Sequence, residues 1–86
     1  MYYVYVLKST LKNYHYTGCT DNLRKRLHEH QKGKTQSTKP YLPFELIYYE
    51  ACKNKTDAYQ REKYLKSRLG KTYIGKRLRN WFNKNA

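Results

Sequence analysis

The stretch YHYTGCTDNLRKRLHEH, Tyr14 to His30, passes from a strand pattern through a glycine into a helix pattern. Tyr14 to Cys19 is rich in β-formers, and Gly18 interrupts the run. From Leu23 onward the apolar positions Leu23 and Leu27 recur after one helical turn, Thr20 or Asp21 stands ready to cap, and Gly33 is placed to stop the helix. At about 100° per residue, Arg26 lies about 60° from Leu23 and His30 about 20° from it, so both sit on or beside the apolar stripe. Arg24, Lys25 and His28 turn towards solvent. A base and an imidazole one turn apart, aimed at a tyrosine-bearing strand, ask for a chemical explanation.

Upstream, Tyr2 to Lys8 is another β-branched and aromatic run, and the polar residues around Asn13 join the two as a hairpin. A register with Tyr5 opposite Tyr16 sets Tyr3 against Gly18 and Leu7 against Tyr14. Alternation then gathers Tyr3, Tyr5, Leu7, Tyr14 and Tyr16 on one face beside the glycine notch. Downstream, Lys34 to Pro43 is a basic loop, carrying Lys34 and Lys39, of a length that suggests a mobile or substrate-covering segment. FELIYYEA, Phe44 to Ala51, alternates as a third strand.

A longer helix follows, capped by Asn54 or Thr56, with Asp57 in its first turn, Ala58, Leu65 and Leu69 as its stripe, and Gly70 as its stop. Glu62 falls about 40° from Ala58 on the same wheel, a position where a carboxylate needs compensation. Thr72 to Phe82 reads as a last short helix packing Ile74, Leu78, Trp81 and Phe82. The sum is an α+β fold: a small three-stranded antiparallel sheet flanked by helices, in a single domain over residues 1–86.

The chain has 86 residues with 19 Lys and Arg against 6 Asp and Glu, a formal charge of +13, and eleven Tyr. Aromatic content of 16% argues against a disordered tail despite a mean hydropathy of -1.13. Such a charge repels itself unless a polyanion takes it up, which points to nucleic acid. Arg24, Lys25, Lys34 and Lys39 are candidate phosphate contacts. No apolar run is long enough to span a bilayer, and MYYVYVLKS lacks the features of a signal peptide, so a cytoplasmic protein with no membrane partner is expected. Cys19 and Cys52 lack metal-ligand spacing and read as small half-buried residues.

Paired tyrosines, Arg26, His30 and Glu62 are the parts that phosphodiester cleavage requires: a base, a cation for the charge on phosphorus, and a carboxylate able to hold a metal. Tyr3-Val4-Tyr5 and Tyr16-Thr17-Gly18, with Arg26, His30 and Glu62 following, resemble the GIY-YIG nucleases. The likeness is to the small free-standing bacterial kind, related to the N-terminal domain of the DNA repair subunit UvrC and to certain homing endonucleases. Tyr3 replaces the leading Gly and Thr17 the second Ile. The resemblance implies a DNA endonuclease using one divalent ion, Mg²⁺ or Mn²⁺, held by Glu62. It implies Tyr16 as general base or water activator and Tyr5 as the group that orients the site. Arg26 would hold the scissile phosphate, His30 would assist proton transfer, and Gly18 would let the nucleic-acid backbone come close. Asn80 is the candidate for the family's late Asn.

Plainer assignments stand beside these. The tyrosines can be packing residues, Arg26 a phosphate-positioning residue, His30 a helix-end cation, and Glu62 the partner of Arg61, Lys66 or Arg26. The alternative to an enzyme cutting DNA, or RNA, is a nucleic-acid-binding module with the same fold and no chemistry. In either case a monomer or weak dimer is expected, with targeting by substrate structure or a partner protein.

Overall fold

A computed structural model describes residues 1–84. Strands β1 (Tyr2–Ser9), β2 (His15–Thr20) and β3 (Phe44–Cys52) form an antiparallel sheet in the order β2-β1-β3. Helix α1 (Leu23–Gln31) follows β2, a 3-10 turn (Lys39–Tyr41) precedes β3, and α2 (Lys55–Lys66), α3 (Arg68–Arg77) and α4 (Arg79–Lys84) come after it.

Val4, Tyr5, Val6 and Leu7 of β1 are buried in succession, because this central strand is covered on both faces. Val4 and Val6 join Ala58, Leu65 and Ile74 in one apolar cluster under α2 and α3. Tyr5 and Leu7 join Phe44 in the other, closed by Leu23 and Leu27 of α1 and by Tyr41 and Leu42 of the basic loop. The sheet is thus the middle layer of three. Cys19 and Cys52 are half-buried free thiols packed against the first cluster.

The hairpin register differs from expectation. Tyr5 lies opposite Gly18, Leu7 opposite Tyr16 and Tyr3 opposite Thr20. The turn is wider because the Ser9 hydroxyl accepts from the amides of Leu11 and Lys12, while the Ser9 amide donates to the Tyr14 carbonyl at 3.0 Å. The slip is even-numbered, so every side chain keeps its face.

Helix ends follow side-chain chemistry. Asn22, rather than Thr20 or Asp21, caps α1 by accepting from the Lys25 amide at 3.1 Å, and Thr20 accepts from the Asn22 amide instead. Gly33 follows α1 at φ 73°, the left-handed turn expected of it. Asn54 caps α2. Gly70 does not stop that helix: Ser67 ends α2 and caps α3 by accepting from the Gly70 amide, which puts Gly70 in the first turn of α3. A Cβ there would strike the backbone of Tyr64 and Leu65, so glycine is what lets α3 turn this tightly off α2. The bend also swings Leu69 out to 70% exposure, off the stripe that Ala58 and Leu65 form. The expected final helix is accordingly two, with Ile74 on α3 and Phe82 on α4.

The basic loop is anchored. Thr38 is fully buried, the Lys39 and Thr38 amides both donate to the Thr35 carbonyl, and Tyr41 stacks on Tyr14 with centroids 3.7 Å apart.

Candidate active site

Opposite Tyr5 in the ladder stands Gly18, and there the pairing leaves room for two rings. A Cβ on Gly18 would lie 2.5 Å from the Tyr5 hydroxyl oxygen and 2.9 Å from the Tyr16 ring. The notch is therefore filled by tyrosine rather than open to a nucleic-acid backbone, and Gly18 is buried.

Beneath those rings comes α1, which delivers His30. Its side chain is completely buried, and Nε2 lies 2.8 Å from the Tyr5 hydroxyl. On the other side, Nδ1 lies 2.9 Å from the Thr38 hydroxyl, which donates onward to the Thr35 carbonyl at 3.3 Å. That last bond gives the chain one self-consistent polarity. With its proton committed to Thr35, the Thr38 oxygen accepts from Nδ1–H, so Nε2 carries a lone pair and the Tyr5 hydroxyl donates to it. The helix-end role for His30 is excluded by its burial.

The electrostatics keep both groups of the pair uncharged. Burial, and then the neighbouring Arg26, hold the His30 pKa below its ordinary value, with Glu29 opposing weakly. Burial, and then Tyr16, push the Tyr5 hydroxyl well above the usual tyrosine range, against the pull of Arg26. The pair rests as neutral imidazole and protonated phenol. Tyr5 is 1% exposed, whereas Tyr16 is partly open and packs its ring 5.0 Å from that of His30.

Arg26 lies at the rim, 33% exposed, and its Nη1 donates to Glu29 Oε1 at 3.2 Å. Burial opposes its charge, but the bond to Glu29 and the adjacent Tyr5 and Tyr16 hydroxyls more than offset that and raise its pKa. Glu62, on α2, is 17% exposed and is compensated by Lys66, Nζ to Oε2 2.7 Å, one turn along the helix. Its charge is felt at both Tyr5 and Cys19, which places it towards the same end of the sheet. Arg61 is not its partner: that guanidinium grips Glu50 through Nε and Nη2, at 2.9 and 2.8 Å. The Tyr48 hydroxyl donates to the same carboxylate, and the rings of Tyr64 and Tyr73 lie against Arg61.

Arg24, Lys25, Lys34 and Lys39 are exposed, on α1 and the loop beyond it, and Asn80 is exposed on α4. The structure thus brings Tyr5, Tyr16, Arg26 and His30 together, with Glu62 at their flank. The sequence reading missed Thr38. A threonine in a loop with no periodicity gives no signal of its own.

Known proteins match this chain in sequence. The profile of the GIY-YIG catalytic domain covers residues 1–77. The chain belongs to the GIY-YIG family. A UPF0213 protein of Clostridium perfringens is 42% identical over 67 residues, 77% of this chain and 71% of that protein. One from Oceanobacillus iheyensis is 40% identical over 62 residues, 71% of each, and one from Streptococcus pyogenes is 42% identical over 67 residues, 77% and 72%. No solved structure matches the chain.

GIY-YIG domains are generally endonucleases that act on nucleic acid and usually use a divalent metal. Among the described residues there is no cluster of three or more His, Cys, Asp and Glu. A single carboxylate still suits Mg²⁺, which commonly keeps its waters and binds through one or two carboxylates plus substrate phosphate. Glu62 fits that description, being largely shielded and paired with a lysine that is itself 53% exposed and can turn away. No helix among the described residues is long and apolar enough to cross a membrane.

Proposed function

We propose that this chain is a metal-assisted endonuclease that hydrolyses phosphodiester bonds in DNA. The observation that carries the proposal is the buried chain of hydrogen bonds from Thr38 through His30 to Tyr5, whose hydroxyl lies beside Arg26. A domain that only bound phosphate would need cations on its surface. It would not need a protonated phenol aimed at a neutral imidazole inside.

On this reading the roles expected of the two tyrosines are exchanged, with Tyr5 as the base and Tyr16 as the orienting group. A tyrosine takes a proton from water readily only when it can pass its own proton on, and the hydroxyl bonded to His30 is that of Tyr5. Water attacks phosphorus and gives its proton to the Tyr5 oxygen as the Tyr5 proton moves to Nε2. The opposite P–O bond breaks, and the departing alkoxide takes a proton from solvent. His30 then returns its proton to solvent through Tyr5. Tyr5 is reached as Arg26 turns from Glu29 to the scissile phosphate, where its guanidinium offsets the charge that builds on the phosphate oxygens. Tyr16, at the mouth, orients that phosphate. Glu62 and the substrate phosphate would hold one Mg²⁺ or Mn²⁺, which supplies further charge neutralisation at phosphorus.

One observation favours a second reading, a nucleic-acid-binding module without chemistry: Glu62 is already satisfied by Lys66. A supercoiled plasmid incubated with the protein and Mg²⁺ or Mn²⁺ separates the two. The nuclease nicks or linearises it, and Glu62→Gln stops cutting while the gel shift persists. A parent protein that shifts the plasmid and never nicks it belongs to the second class.

A further inference from the structure

Beside the tyrosine pair, a cleft of about 400 Å³ runs along β2, the edge strand, and on to α2, α3 and α4. That volume lies within the roughly 300–1,000 Å³ common for small-ligand sites. Tyr16 lines the cleft as well as the notch at Gly18. Its base is apolar, made by the buried Leu65 and Ile74, and the rings of His15 and Phe82 meet edge to face in it, 5.8 Å apart. Two cations, Lys66 and Lys71, belong to the same lining, and Lys66 links it to Glu62.

An apolar base, flat aromatic walls and ammonium groups together are the recognition chemistry of a nucleotide, with the base against rings and the phosphate against a cation. Burial, then Lys8 and Lys71, hold His15 towards its neutral form, so its ring offers a stacking face without a charge. A base inside a continuous duplex is stacked between its neighbours and cannot enter a side cleft without leaving them. The cleft opens on the α2 and α3 face, round the β2 edge from Tyr5 and His30. Tyr16 at that edge, with Glu62 reached through Lys66, joins it to the reacting constellation, so its occupant is the neighbour of the phosphate being cut.

We propose that this cleft receives one unstacked nucleotide flanking the scissile phosphate, its base against His15 and Phe82 and its phosphate at Lys71. The substrates of this chain are then strands with a frayed, flapped or single-stranded nucleotide at the cutting point, rather than unbroken duplex. This rests on the proposed nuclease activity, but the pocket itself can be tested without cleavage.

Gly75 lines the cleft at an exposed helix position where a Cβ would meet nothing within 4 Å, so Gly75→Leu adds bulk at the cleft wall without a clash at its Cβ. The probe is a set of DNA duplexes with a short 5′ single-stranded flap, each carrying 2-aminopurine at one position around the junction, mixed with protein in EDTA. In the parent, one position should show a fluorescence change that saturates with binding. Gly75→Leu should abolish that change and weaken flap binding about ten-fold, while binding to plain duplex falls much less. Lys71→Ala, at an exposed position, should lower the same preference in the same direction. If the melting temperature of Gly75→Leu shows it does not fold, Lys71→Ala and Phe82→Ala carry the comparison. Equal fluorescence changes and equal flap affinities in parent and variants would overturn the pocket, even if the parent cuts plasmid. A position-specific change in the parent, lost in the variants, would uphold the pocket even if plasmid stays whole, and the nuclease reading alone would then fall.

Discussion

The proposed transfer of the Tyr5 proton to a histidine that its surroundings keep neutral gives the rate a pH dependence that distinguishes the two tyrosines. His30 must be unprotonated to accept, and burial and Arg26 set its folded pKa below the ordinary value of about 6.5. The acid limb of the single-turnover rate should therefore lie below pH ~6.5, with a plateau above it, because Tyr5 never has to ionise in advance. A rate that instead climbs steadily through the alkaline range would return the base role to Tyr16. On the same grounds Tyr5→Phe should lower the rate by about 100-fold or more, and Tyr16→Phe by less. Thr38→Val keeps the shape and removes the acceptor for Nδ1–H, so it should cut the rate and move the acid limb, a shift that a packing role would not produce. The sign for stability is the same. A histidine whose folded pKa is below its unfolded one contributes fully above ~6.5 and loses that contribution as pH falls, so the melting temperature should decline on acidification through this window.

Between elements, three glycines have opposite sensitivities to one methyl group. Gly18→Ala drives a Cβ into the Tyr5 hydroxyl and Tyr16 ring and should cost about 1–3 kcal/mol together with activity. Gly70→Ala meets the backbone of α2, which cannot give way, and should destabilise at least as much. Gly75→Ala has open space and a helical backbone, and should add about 0.5–1 kcal/mol. Thermal melts of the three read out the order directly. These positions also mark what the sequence could and could not disclose. Strand faces were legible because parity survives an even slip in register, and so the meeting of Tyr5 and Tyr16 with His30 was foreseeable from spacing. The turn width was not, since it depends on the Ser9 hydroxyl taking two amides. Gly70 resembles a helix stop in any one-dimensional reading, and only the approach of α3 to α2 shows that it is a spacer. Thr38 and the grip of Arg61 on Glu50 are long-range pairings without a local pattern.

At the scale of the whole molecule, charge dominates. Even if every one of the 6 acidic residues held a cation, the net +13 would remain without an internal partner. The ion pairs Arg26–Glu29, Arg61–Glu50 and Lys66–Glu62 already engage half of those acids. The molecule is a slab of 34 × 30 × 18 Å, and its longest edge spans about ten base pairs of duplex at roughly 3.4 Å each. A face of that length can reach about six phosphates, and each contact releases condensed counterions. Affinity for a labelled duplex should therefore fall about 10³-fold between 50 mM and 200 mM salt, along a straight line in log–log coordinates with a slope near five. Single replacements of Arg24, Lys25, Lys34 or Lys39 by Ala should each reduce that slope by about one where the residue meets a phosphate, and leave it unchanged where it does not. Glu62→Gln removes a negative charge and should bind as tightly as the parent or more so. Fluorescence anisotropy titrations at several salt concentrations measure all of these. A slope near zero would mean that the cations do not face the nucleic acid, and the family's substrate would have to be held here by some other surface.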